Sequence, residues 1–200
     1  MPSLKDLRSR ISSVKSTRQI TKTMKMVAAA KMTRARNACE RARPYADAMN
    51  DTLQQLASNV NPASAPLMLR GRGADATVVR LLVFGSDRGL CGGLNVQLAK
   101  LVFKKIEEYH KAGKTVQVVA LGKKARDEVR TRYPDVVINT YEDITRYINY
   151  ETAENVALET VDDFMQGKCD EVAMVFNTFV SVLTQKPTFL QLIPFEREEE

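Results

Sequence analysis

No glycine occurs before Gly71 in this 200-residue chain, and between Ser3 and Asn61 the one proline is Pro44. The segment is instead rich in Ala, Lys, Arg, Met, Gln and Leu, residues that lose little entropy in a helix. This predicts a single long helix over 3–60. Ser3 stands at its N-cap, and Asp6, three residues on, sits in a capping-box position. Pro44 has no amide to donate, so it predicts a kink or a break. A helix of that length spans roughly 85 Å. A compact body of 200 residues is only about 40 Å across, so the helix is expected to project.

The apolar spacing predicts a coiled coil. Leu4, Leu7, Ile11 and Val14 step by 3, 4 and 3, and the stripe resumes at Ile20, Met24 and Val27. Ala35, Ala38, Ala42, Tyr45 and Met49 again alternate 3 and 4. This is an a/d seam with a phase skip after Val14, rich enough in alanine to let a partner helix approach closely. The same end carries the charge. Residues 1–43 hold five Lys and seven Arg against Asp6 and Glu40, a net +10. The other 157 residues hold 18 basic and 22 acidic side chains, a net −4, and the whole chain is +6. A concentrated positive stretch implies an acidic partner.

Four regions follow: a basic coiled-coil shaft helix over 1–60, a linker over 61–76, an α/β body over 77–195 and an acidic tail over 196–200. Strands are predicted at 77–84, 115–121, 136–141, 171–183 and 188–193, and helices at 94–111, 123–133 and 151–166. The last two strands are expected to pair antiparallel through 184–187. Strands alternating with helices predict a Rossmann-like α/β domain with a largely parallel sheet.

Several chemistries are disfavoured. No apolar run reaches the roughly 18 residues of a membrane span, and the charged start MPSLKDLRSR does not resemble a signal peptide. Cys39, Cys91 and Cys169 are too few and too widely spaced for a disulfide framework or a zinc knuckle, and His110 is the one histidine. The cysteines are read as buried and inert, and His110 as solvated. Met24, Met26, Met32 and Met49 suit either an adaptable contact surface or seam packing. The glycine-rich turn at 85–95, GSDRGLCGGLN, lies between a strand and a helix, where α/β proteins bind phosphate. It fits neither GxGxxG nor GxxxxGK[ST], and Asp87 would repel an anion, so it reads as a structural or interface turn. No catalytic, cofactor or metal site is predicted. Lys22, Lys25, Lys31, Arg18, Arg34 and Arg36 read as spread around the helix. Two rival readings remain: a nucleotide-binding α/β enzyme, and a basic helical nucleic-acid-binding protein.

Two stretches carry a family resemblance. One is IxSVKxTRQITKTMKMVAAAKMxRA from Ile11 to Ala35, continuing to Arg43-Pro44-Tyr45-Ala46; the other is the turn GSDRGLCGGLN. Both resemble the gamma subunit of F-type ATP synthases, and the likeness extends over essentially the whole chain. The resemblance implies a non-catalytic rotor subunit. Its N-terminal helix pairs antiparallel with a C-terminal helix inside a ring of three alpha and three beta subunits. Its α/β foot rests on the membrane ring of c subunits and holds the epsilon subunit. The sequence ends at Glu200, before the family's long C-terminal helix, so the seam's partner and full torque transmission are expected of a longer chain. The resemblance also implies that Met24, Lys25 and the turns around them face acidic beta-subunit lever loops, and Lys31, Arg34, Arg36, Asp87 and Arg88 are further subunit-contact candidates. Redox regulation is not expected. The implied place is peripheral, on the cytoplasmic face of a bacterial inner membrane or the matrix face of a mitochondrial one. Neither nucleic-acid binding nor membrane insertion is expected.

Overall fold

The computed structural model describes residues 3–61, 64–144 and 148–195. Contacts divide the chain into two compact units, Met1–Leu56 and Ala57–Glu200.

The first unit is formed by helix α1, Leu4–Asn59, whose last turn belongs to the second unit. Its start is the expected capping box. The Ser3 amide donates to Asp6 Oδ2 at 3.0 Å, and the Asp6 amide donates to Ser3 Oγ at 3.2 Å. These bonds hold the Asp6 carboxyl below its usual value: the Ser3 side chain acts most, then the Ser3 backbone. A break at Pro44 does not occur. The helix runs through it, because proline removes one amide bond and the flanking turns of strong helix formers keep theirs. Every side chain from 3 to 52 is exposed.

In the second unit the segment expected as an irregular linker contains a short helix, α2 (Leu67–Arg70), and a 3-10 turn at Gly73–Asp75. Pro66 opens that helix and Gly71, at φ +67°, ends it. Pro62 and Ala63 lie outside the described residues. There follow β1 (Val78–Phe84), α3 (Leu94–Lys111), β2 (Thr115–Leu121), α4 (Lys123–Arg130), β3 (Val137–Tyr141), α5 (Tyr150–Met165), β4 (Glu171–Phe179) and β5 (Gln185–Ile193). Helix α4 stops short of 133, because Tyr133 precedes Pro134 and a pre-proline residue disfavours helix. The last connection also differs from expectation. The chain turns at 180–184 instead of 184–187, and Pro187 lies inside β5. An edge strand tolerates a proline, and β5 pairs with β4 alone. The acidic tail at 196–200 lies outside the described residues.

The sheet order is β3-β2-β1-β4-β5, parallel throughout except for the antiparallel β4–β5 pair. The fold class is therefore as expected. β1 is central, and its run VVRLLVF is buried at five of seven positions, as two-sided coverage requires. On one face Val79, Leu81 and Val83 pack with Leu98, Val102 and Ile106 of α3 and Ala125 and Val129 of α4. On the other, Leu82, Val119 and Val172 pack with Val156 and Phe164 of α5.

The sequence pattern hid one buried ion pair. Arg80, in the middle of β1, is almost fully buried and pairs with Asp163 of α5, while its Nη2 donates to Gln117 Oε1 at 2.8 Å. This pins α5 to the sheet. Lys168 and Arg80 both donate to Asp163 and hold its carboxyl below the usual range. Asp170, just before β4, pairs instead with Arg72 at 3.2 Å. Burial alone would raise its carboxyl, but amide bonds from Thr77 and Val78, both 2.9 Å, and the charge of Arg72 together lower it. Tyr141 is pushed up to about 12 by burial and by its hydrogen bond to Glu159.

Candidate functional site

The candidate contact residues fall on two surfaces. The first is α1. Because the helix is continuous, residue positions step around it at about 100° each. On that count Arg18, Lys22, Lys25, Arg36 and Arg43 share an arc of roughly 60°. These are five of the twelve basic residues of α1, and the other seven lie outside that arc. Met24 and Lys31 lie roughly 130° away, with Ile20, Val27, Ala38 and Met49, and Arg34 flanks that second group. The stripe of Leu4, Leu7, Ile11 and Val14 continues into the basic arc instead of into the later seam, which is the structural meaning of the phase skip. Lys25, Lys31, Arg34 and Arg36 are all exposed. Arg36 pairs with Glu40 at 3.4 Å, and a pair so exposed contributes little. Cys39 is exposed on this helix, contrary to the buried reading, as is every side chain from 3 to 52. Cys91 is half-buried, and Cys169 is buried, with its thiol raised by that burial.

The second surface is the turn at 85–95, and it is stapled from several sides. Asn95, buried at the start of α3, accepts the Ser86 amide at 3.1 Å and donates to Ser86 Oγ at 2.8 Å and Cys91 Sγ at 3.2 Å. Gly85 is packed so closely that a Cβ there would sit 2.6 Å from Ala125 Cβ. Gly122, at φ +112°, places its α-carbon against the Gly85 carbonyl, where a Cβ would sit 2.6 Å from the oxygen. Asp87 turns inward. Its Oδ1 accepts the Lys123 amide at 3.2 Å and the Asp143 amide at 3.0 Å. It thus caps α4 and occupies a helix N-terminus that could otherwise attract an anion. Arg88, Gly89 and Leu90 are exposed. Leu90 is 95% exposed and held at φ +62°, a conformation that costs a non-glycine residue of the order of 1 kcal/mol. The turn is a rigid base presenting an arginine and a leucine.

A cavity of about 560 Å³ lies between the sheet and α5, bounded by Leu82, Leu121, Val156, Val172 and Met174. Among the described residues no carboxylate, amine, imidazole or thiol lines it. Among the described residues no cluster of three His, Cys, Asp or Glu side chains could hold a metal, and no helix is long and apolar enough to cross a membrane.

The family described as ATP synthase matches residues 3–200. The chain is 43% identical to the ATP synthase gamma chain of Ruegeria sp., over all of this chain and 69% of that one. It is also 43% identical to the gamma chain of Parvibaculum lavamentivorans, over 97% of this chain and 66% of the relative. The chain belongs to the ATP synthase gamma chain family. Gamma chains are non-catalytic stalk subunits of the rotary ATP synthase. The fold is shared with a chain of the Tetrahymena thermophila mitochondrial ATP synthase central stalk and c-ring, at TM-score 0.69 and 23% identity over 88% of this chain and 72% of that one. A Euglena gracilis mitochondrial ATP synthase rotor chain matches at TM-score 0.59 and 20% identity, over 94% of this chain and 62% of that one. The gamma chain resemblance was legible in the two quoted motifs. The inward role of Asp87 was not, because its partners lie 36 and 56 residues away.

Proposed function

We infer that this chain is the central-stalk rotor subunit of a proton-translocating ATP synthase, coupling rotation of a membrane ring to nucleotide turnover in an alpha–beta ring. The identity to gamma chains over the full length of this chain carries the reading. Its partners are three alpha and three beta subunits, an epsilon subunit and the c-ring. Its place is peripheral, on the cytoplasmic face of a bacterial inner membrane.

A rotor of this kind performs no bond chemistry. One asymmetric surface meets three catalytic interfaces in turn and biases each toward a different nucleotide affinity, a population shift through differential contact. The exposed face of α1 with Lys25 and Arg36 suits acidic lever loops on the beta subunits. Met24 and Lys31 lie on the apolar seam and Arg34 borders it, and we place them at the edge between the helix partner and the ring. Arg88 supplies a second basic contact. Asp87 serves that contact indirectly, by fixing the turn on α4.

Co-expression of the tagged chain with alpha, beta and epsilon subunits tests the reading. Recovery of alpha and beta in stoichiometric amount is expected. Their absence, with recovery instead of DNA whose binding falls steeply with salt, would overturn it in favour of a nucleic-acid-binding protein.

A further inference from the structure

Three residues of the turn at 85–95 have a fixed shape but no ladder to fix it. Among the described residues the amides of Arg88, Gly89 and Leu90 make no backbone–backbone bond. Such a loop belongs at the low end of local stability. Yet Leu90 is held at φ +62°, and a strained conformation persists only where its surroundings over-determine it. The near end of the loop is anchored by backbone: the Gly85 amide donates to the Leu121 carbonyl and the Ser86 carbonyl accepts the Lys124 amide, both at 2.8 Å. Beyond Ser86 the shape is set by side chains.

One carboxamide reaches both ends of the loop. Asn95 Oδ1 accepts the Ser86 amide, and Asn95 Nδ2 donates to Ser86 Oγ and to Cys91 Sγ, five residues further on. Both hydrogens of the amide are thereby used. Ser86 Oγ passes the tie on, donating to the Arg88 carbonyl at 2.7 Å. The bonds of Asp87 run to α4 and to the segment before α5; those of Asn95 join the two feet of the loop to each other. Asn95 is 6% exposed in the first turn of α3, and a Cβ at Gly85 would lie 3.0 Å from its Oδ1. The N-cap of α3 is Gly93, which makes no side-chain cap bond. A buried polar group costs free energy unless it is bonded, and all three of these bonds go to the turn. The amide therefore serves the turn, and an apolar residue would serve α3 as well.

We propose that Asn95 is a positioning residue of the rotor: its carboxamide fixes the attitude at which Arg88 and Leu90 are presented, and through them the coupling of rotation to hydrolysis. This rests on the rotor reading above.

The 200-residue chain tests the tie, and the full gamma chain carrying this sequence, with purified alpha, beta, epsilon and c subunits, tests its consequence. In the wild type, the ¹⁵N order parameters of Arg88, Gly89 and Leu90 should lie near the roughly 0.85 of rigid backbone, and in Asn95→Ala they should fall below about 0.6. Val102→Ala, at a fully buried position two turns along α3, should leave them unchanged. Asn95→Asp separates acceptor from donor. Its carboxylate still accepts the Ser86 amide but donates only once protonated, so acidifying the sample should return the order parameters toward wild type. In the complex, Asn95→Ala should lower proton pumping relative to ATP hydrolysis at least roughly threefold, and Val102→Ala should not. If Asn95→Ala does not fold, Ser86→Ala, which removes the hydroxyl between Asn95 and the Arg88 carbonyl, carries the same measurements. Unchanged order parameters would overturn the positioning role. A loosened turn with wild-type coupling would overturn it too, and both results leave the rotor reading intact. A folded wild-type chain that does not assemble with alpha and beta would overturn the rotor reading, while the order parameters would still report the tie.

Discussion

α1 and β1 are both rich in apolar residues, and they use them in opposite ways. In β1, Val79, Leu81 and Val83 are fully buried, with helices on one side and α5 on the other. In α1, Leu4, Leu7, Ile11, Val14, Ile20 and Met24 are all exposed. The backbone explains how both can exist. A helix satisfies its amides internally, whereas a strand needs neighbours before it is a strand at all. The sheet is therefore complete within its own chain. The helix is complete in hydrogen bonds and incomplete in packing, and packing supplies most of a helix's stability in proteins.

The largest expected effect of this difference is in hydrogen exchange. In a monomeric sample, amides of residues 4–52 should exchange at least roughly a thousandfold faster than those of Leu81, Leu82 and Val83, since local opening ranges from near zero up to the global stability. Equal protection would show that α1 is held by contacts within the chain, and the comparison would collapse.

Substitution sharpens the same contrast. Leu81→Ala removes a fully buried side chain between β2, β4 and α3 and should cost about 2–5 kcal/mol in urea unfolding. Ile11→Ala removes a side chain of similar size that is 56% exposed and should change the monomer's stability by less than about 0.5 kcal/mol. If the two variants lose similar stability, the stripe on α1 is buried in solution.

Titration separates the regions next. Asp163 and Asp170 have carboxyls held below their usual values by partners in the folded domain. Such groups contribute stability that is fully present above the unfolded value and is lost as pH falls through the lower folded value. The domain's urea midpoint should thus be flat near neutrality and fall below about pH 4. Asp170→Asn leaves the Thr77 and Val78 amides a poorer acceptor and should cost about 1–3 kcal/mol at pH 7. Its stability should also depend less on pH in the acid range. A variant that keeps the wild-type acid slope would assign that slope to other carboxylates.

Much of this was legible in the sequence, for reasons that differ by region. The glycine gap before Gly71 and the 3–4 spacing exposed α1, since helix formation is local. β1 was legible because a doubly covered strand is apolar throughout. Interactions between distant residues were not legible: Arg80 meets a carboxylate 83 residues away, and nothing near it in sequence announces the pair. The bonds of Asp87 to α4 and to the segment before α5 were not legible either, because only its neighbours in the turn are close in sequence. The hairpin was misplaced because Val182 and Leu183 look like strand and Pro187 looks like a turn; the edge position of β5 reverses both.

The smallest expected effect lies on the face of α1 that the monomer does not use. Lys25 and Arg36 share the basic arc and lie 11 residues apart, about 16 Å along the axis. If that arc meets acidic loops, Lys25→Glu with Arg36→Glu should impair coupling in the reconstituted complex. Each exposed pair is worth only about 0–1 kcal/mol, so the single changes should be nearly silent, and the Arg36 change also strips Glu40 of its partner. Lys100→Glu with Lys111→Glu, both exposed on α3, makes the same charge change elsewhere. Proton pumping should fall relative to ATP hydrolysis in the α1 double variant and not in the α3 one. The defect should also change with salt, because exposed charges are screened over about 10 Å at 0.1 M ionic strength. Identical behaviour of the two variants at every ionic strength would mean that the positive charge of α1 merely keeps an exposed helix soluble. The asymmetry between the two regions would then be one of packing alone.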